Sequence, residues 1–159
     1  MVRVHKKVLA AERAPVLVKA KHLWEQRYQD INAFEEYLTH NGVVVRKFFL
    51  HLSKGEQKKR FLARLDDPQK NWKFSMDDIK ERGYWKDYQE AYEEMIQETS
   101  SKRAPWYIVP ADNKWYSRLV VSAAIVETLD SLQLEFPVVD KAKKEELEQV
   151  RKALLAGKE

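Results

Sequence analysis

Cysteine is missing from all 159 residues, so disulfides and thiolate-held metal sites are excluded. The four histidines, His5, His22, His40 and His51, are scattered without ligand spacing, and a zinc enzyme is not expected. Apolar runs are short, and none approaches the roughly 18 residues that a membrane span needs. The opening MVRVHKKVLAAERAP has no apolar h-region of a signal peptide. With the lack of cysteine, this places the expected location in a reducing cytoplasm, with no membrane partner. Glycine is scarce too. Its four copies, at 42, 55, 83 and 157, are isolated, so the sequence holds no phosphate-cradling loop of the nucleotide-kinase type. A GxSxG elbow, an HExxH helix and a recognisable carboxylate pair are equally absent from the sequence.

What is present is charge, aromatic side chains and helical periodicity. Lys and Arg number 29 against 25 Asp and Glu, a net +4, which suits an anionic partner without naming one. The length and the 44% hydrophobic content allow one domain with a core. Val2, Val4, Val8 and Leu9 mark the end of a short helix that Pro15 stops. Between Lys21 and about Thr39, Leu23, Ile31, Phe34 and Leu38 recur at helical spacing, with Asn41-Gly42 as the stop.

Residues 43–53, VVVRKFFLHLS, give the strongest strand signal, a nearly continuous β-branched and aromatic run that predicts a strand buried on both faces of a parallel sheet. Ser53 then caps a helix, with Glu56 placed to complete a capping box. Along that helix Phe61, Leu62 and Leu65 share one side, and Gln57, Arg60 and Arg64 another. Ser75 caps a further helix, which the aromatic-rich WKDYQEAYEEMIQE continues. WYIVP predicts a second strand, and a long helix capped by Asp112 follows. Beyond Pro137 the chain is charged and helix-prone, the pattern of an exposed terminal helix. Strand, loop and helix alternate as in an α/β domain, yet about two strands are too few for a doubly wound sheet.

The chemistry in this layout is an anion-binding set. Arg60 and Arg64 project together from one helix, and guanidinium forks grip phosphate oxygens in pairs. Lys70, Lys73 and Arg82 follow, and Lys114 and Arg118 sit one helical turn apart. Taken singly, each cation reads as a solvated helix face, and Trp72, Trp85, Trp106 and Trp115 read as core or hinge anchors before base-stacking platforms. Asp66 and Asp67, ahead of Pro68, read as a stop and turn in place of a metal site. It is the clustering of the cations that points to function.

The order of these motifs resembles one family. QKKRFLARLDDP at 57–68, followed by KNWKFS at 70–75, closely resembles the lid region of polyphosphate kinase 2. VRVH at 2–5, LWEQRYQDINAFEEYL and NGVVVRKFFLHLSK resemble its preceding segments, and the AYEE stretch, Thr99-Ser100 and APWYIVPADNKWYSRLVV its closing strand and helix. The resemblance runs over about residues 2–136. It implies a C-terminal portion of a P-loop kinase, α/β and three-layered like thymidylate kinase, helix-rich with few parallel strands. Residues 1–136 would form that portion, with a lid over about 53–85, and residues 137–159 a charged helical tail.

The activity implied is phosphoryl transfer between inorganic polyphosphate and a nucleotide (ADP/ATP, GDP/GTP or AMP), with Mg2+. In that setting Arg60 and Arg64 would stabilise the transferring phosphates, and Lys70, Lys73, Arg3, Lys114 and Arg118 would hold polyphosphate or nucleotide. The stretch LDDPQKNWKFS would be the hinge side of the lid, with Trp72 its packing anchor. Family members carry a Walker A loop and a Walker B acid before the VRVH segment, where this sequence starts. The expectation is therefore the C-terminal half of the enzyme, inactive alone, its partners a missing N-terminal half and further copies of itself in a homo-oligomer. The other readings are a module that holds polyanions without chemistry and a truncated remnant.

Overall fold

The computed structural model describes residues 2–11 and 22–157; Pro15, expected to stop the first helix, lies outside them. Two compact units divide the chain, Met1–Val121 and Ser122–Glu159. The first holds the short helix α1 (Lys6–Ala10), α2 (Leu23–His40), β1 (Lys47–His51), α3 (Lys54–Leu65), α4 (Met76–Gly83), α5 (Trp85–Thr99) and β2 (Trp106–Pro110). Helix α6 (Lys114–Ser131) runs through the division, and α7 (Lys141–Leu155) belongs to the second unit.

β1 and β2 pair in parallel, with Lys47 opposite Trp106 and His51 opposite Pro110. A parallel pair needs a crossover, and here α3, α4 and α5 supply it. Side chains alternate across the sheet: Phe48 stacks on Tyr107 with ring centroids 5.3 Å apart on one face, and Phe49 meets Tyr92 of α5 at 5.0 Å on the other. Val109, Thr99 and Ala104 are buried at the centre.

The strand is shorter than the β-branched run 43–53, and it is not buried on both faces. Pairing starts where the Lys47 N–H donates to the Pro105 carbonyl at 3.1 Å, so among the described residues no strand lies opposite 43–46. Strand propensity without a ladder yields only extended chain. Val43 and Val44 are accordingly exposed, as is Leu50 within the strand at 57%.

Lys47 joins the layers. Its ammonium donates to both Glu35 oxygens, at 2.8 and 2.6 Å, and to the Thr99 carbonyl at 2.5 Å, while the Trp106 indole N–H donates to the Thr99 hydroxyl at 2.9 Å. A mostly buried charge with a bidentate carboxylate and a further acceptor is the satisfied case. The network links α2, β1, α5 and β2. In the second unit, Asp140 caps α7 by accepting the Lys143 N–H at 2.7 Å, and α7 is exposed along its length.

Candidate functional site: a two-helix hairpin

Between the strands, α3 and α4 form a hairpin. Ser53 starts α3, its hydroxyl accepting the Glu56 N–H at 3.1 Å. The second half of the expected capping box is replaced, because the Glu56 carboxylate turns to Arg60 and accepts from its Nε at 2.9 Å. The Ser53 N–H donates to Asp112 at 2.7 Å, and those bonds to Ser53 hold the Asp112 carboxyl below its usual range.

Leu65 ends α3, and Asp67 makes the turn. Its carbonyl accepts the Lys70 and Asn71 N–H groups, both at 2.9 Å, and its carboxylate accepts the Gln69 N–H at 3.0 Å and the Lys70 ammonium. A 3-10 turn over Asn71–Lys73 follows. The chain then doubles back: Phe74 sets its ring edge-on to Phe61 of α3, centroids 5.3 Å apart. Ser75 and Asp78 close a full capping box on α4.

The hairpin is latched at its base by Arg82. This guanidinium at the end of α4 donates to the Lys54 carbonyl at 2.9 Å and to Gln57 Oε1 at 2.6 Å, and lies 6.0 Å from the Trp85 ring. Twelve residues of α3 rise about 18 Å from base to tip. LDDPQKNWKFS is therefore the tip of the hairpin, and the contacts that tie its base are made instead at Ser53, Lys54 and Arg82. Trp72 is no packing anchor: it is 74% exposed, and Phe61 with Phe74 does the packing. Short-range polar turn chemistry marked the turn but could not show which end of the hairpin it closes.

The seven expected site residues separate by what they hold. Arg60 Nη2 donates to the carbonyls of Ala111 and Asp112, at 2.8 and 3.0 Å, which clamps α3 to the turn after β2. Lys114 begins α6 immediately beyond that turn, and Arg118 follows one turn later; both are exposed and carry no ion pair among the described residues. Arg64, in the last turn of α3, is likewise unpaired among the described residues. Lys70 is held by Asp67. The Lys73 ammonium stands 4.9 Å from the Trp72 ring centroid. Arg3 is brought elsewhere, where it pairs with Glu94 and lies 5.1 Å from the Trp24 ring and 6.0 Å from that of Tyr28. There it serves the α2–α5 packing.

At the hairpin base a cleft of about 320 Å³ is lined by Phe49, Phe61, Gln57, Arg82, Trp85 and Tyr88, among others. One Glu81 oxygen on its wall accepts from the Tyr88 hydroxyl at 2.7 Å and from His5 Nε2 at 2.9 Å. These bonds, Tyr88 first, hold the Glu81 carboxyl below its usual range. Burial, and then the Glu81 carboxylate, push the Tyr88 phenol up to about 12. Sequence reasoning missed this trio, because His5 and Glu81 are 76 positions apart and no spacing rule connects them. No group of three or more His, Asp or Glu side chains among the described residues is suited to a metal ion, so the described residues offer no ready-made all-protein cage for magnesium.

A family model described as "Polyphosphate kinase 2 (PPK2)" matches residues 9–137. The chain is 51% identical over 156 residues to an ADP-polyphosphate phosphotransferase of Rhodopseudomonas palustris, covering 98% of this chain and 54% of that protein. It is 54% identical over 132 residues to an "Uncharacterized protein in chlN 3'region" of Leptolyngbya boryana, covering 83% and 97%. Among solved structures, a crystal structure of polyphosphate kinase 2 from Arthrobacter aurescens matches with a TM-score of 0.76 and 43% identity, over 92% of this chain and 49% of that one. The chain thus spans about half the length of the phosphotransferase and the crystal structure it matches. Its helices and parallel strand pair follow the P-loop kinase arrangement of those structures.

Proposed function

The chain belongs to the polyphosphate kinase 2 family, and from that premise we propose that it serves phosphoryl transfer between inorganic polyphosphate and a nucleoside mono- or diphosphate, contributing the lid and the closing helix. The observation that carries this reading is the α3–α4 hairpin: fixed at its base, it presents Arg64 and Lys73 at its far end without carboxylate partners among the described residues. Unpaired cations on a preorganised element neutralise phosphate charge without first breaking an ion pair. Closure of such an element over a phosphate chain also excludes water from the reacting groups. In this reading Arg64, Lys73, Lys114 and Arg118 meet the anions. Arg60 and Asp112 fix the lid against the turn that carries Lys114. Arg3 and Lys70 drop to supporting roles, because each already holds a carboxylate.

The proposal extends to the cytoplasm as the place of action and to Mg2+ as the ion that accompanies the phosphates; the roles given to this chain's residues involve no metal contact. It also includes assembly with a polypeptide that bears a glycine-rich phosphate loop, and self-association. The apolar side chains left open on α2 and the sheet, Phe34 at 61% and Ile108 at 60%, support a covering partner.

The test mixes the purified chain with the separately expressed first half of the Rhodopseudomonas palustris relative, polyphosphate, magnesium and ADP, GDP or AMP. Nucleotide conversion that requires both polypeptides is the expected result. No conversion, with both halves folded, sinks the enzymatic reading. Polyphosphate binding that weakens steeply with salt but never leads to turnover would assign the chain to the polyanion-holding module instead.

A further inference from the structure

Trp72 is the most exposed aromatic side chain of the hairpin, and it is also fixed. Its indole N–H donates to the Gln69 carbonyl at 3.1 Å, within a turn already tied by Asp67 and closed by the 3-10 helix. The one polar group of the ring is thereby satisfied, and what remains to offer a ligand is the ring face. An indole at 74% exposure forgoes most of the burial that normally holds a tryptophan in a fold. A rigid, open ring is preorganised for stacking.

Charge decides between the surfaces that could cover it. Lys73 stands over the ring at 4.9 Å, and neither it nor Arg64 has a carboxylate partner among the described residues. Docking of the tip onto an apolar protein surface would strip water from the Lys73 ammonium and return nothing. A nucleotide brings both complements in one molecule, a planar base for the ring and phosphates for the cations.

We propose that Trp72 is a base-stacking platform for the nucleotide, with Lys73 at the ring and Arg64 in the last turn of α3 meeting the phosphates. Every base has a π face, so stacking at this position tolerates adenine and guanine alike. Base selectivity must then come from groups away from the tip. The inference rests on the phosphotransferase reading for its choice of a nucleotide as ligand.

The experiment measures binding of ADP, GDP and inorganic tripolyphosphate, which has no base, to the full chain and to its Trp72→Phe and Trp72→Ala variants by titration calorimetry. Thermal unfolding of each variant confirms that the exposed substitution leaves the fold intact. Trp72→Ala is expected to weaken ADP and GDP between about five- and a hundred-fold, with tripolyphosphate affinity held within about two-fold and Trp72→Phe close to the parent. An equal loss for tripolyphosphate, or unchanged nucleotide affinity in Trp72→Ala, overturns the stacking role while leaving the phosphotransferase reading in place. Failure of the parent chain to bind ADP or GDP overturns the stacking role in this chain, while the phosphotransferase reading stands or falls with the two-polypeptide conversion assay.

Discussion

Arg60 and Arg64 differ by one helical turn and by what they hold. Arg60 bonds Glu56 and two carbonyls of the turn after β2, so Arg60→Ala removes charge-assisted bonds between elements and is expected to lower stability by about 1–3 kcal/mol. Arg64→Ala removes no such bond, and its stability should stay within about 0.5 kcal/mol of the parent while polyphosphate affinity falls. Urea unfolding of the two variants beside salt-dependent polyphosphate binding reads both effects. The sequence placed both arginines on one helix face correctly. It could not distinguish them, because the acceptors of Arg60 lie about fifty positions away at Ala111 and Asp112. Trp72 shows the same limit from the other side: tryptophan composition favours a buried anchor, and only the fold leaves this ring outside.

Helix ends were the most legible elements, because a cap is a contract between residues two or three positions apart. Ser53 and Ser75 both cap as expected, and Ser75 closes the full box with Asp78. Ser75→Ala is expected to destabilise α4 by about 1 kcal/mol. The loss should appear as faster amide hydrogen exchange confined to Met76–Gly83, since the Arg82 latch to Lys54 and Gln57 survives the change. The long β-branched run misled for a complementary reason. A strand is a pairwise object, and among the described residues no strand pairs with 43–46, because the β1–β2 ladder begins only at Lys47 opposite Pro105 and Trp106.

At the scale of the whole molecule, the segment preceding α1 is tied to the base of the α3–α4 hairpin by the His5, Glu81 and Tyr88 contacts, and these leave a signature in pH. Tyr88, raised from 10.0 to about 12, adds stability that is complete below about pH 10 and lost as pH rises through 12. Glu81, lowered from 4.5, adds stability that is present above pH 4.5 and lost as pH falls through its depressed value. Glu81→Gln should shrink the acid loss, though not abolish it, because Asp67, Asp77 and Asp112 are also held low. The same variant should lower the Tyr88 ionisation, read from phenolate absorbance, without returning it to 10.0, since burial, its larger cause, remains. By itself the sequence determined the family, the helical character, the two parallel strands and the Ser53 and Ser75 caps, all of which rest on residue order or on spacings of a few positions; Asp112, expected to cap the helix after β2, lies two residues before its start at Lys114 and accepts the Ser53 N–H instead. Tertiary structure decided which end of the hairpin is tied down, which cations are already engaged and which ring stays open, because contacts such as Arg82 with Lys54 and Arg60 with Ala111 form only when distant segments meet.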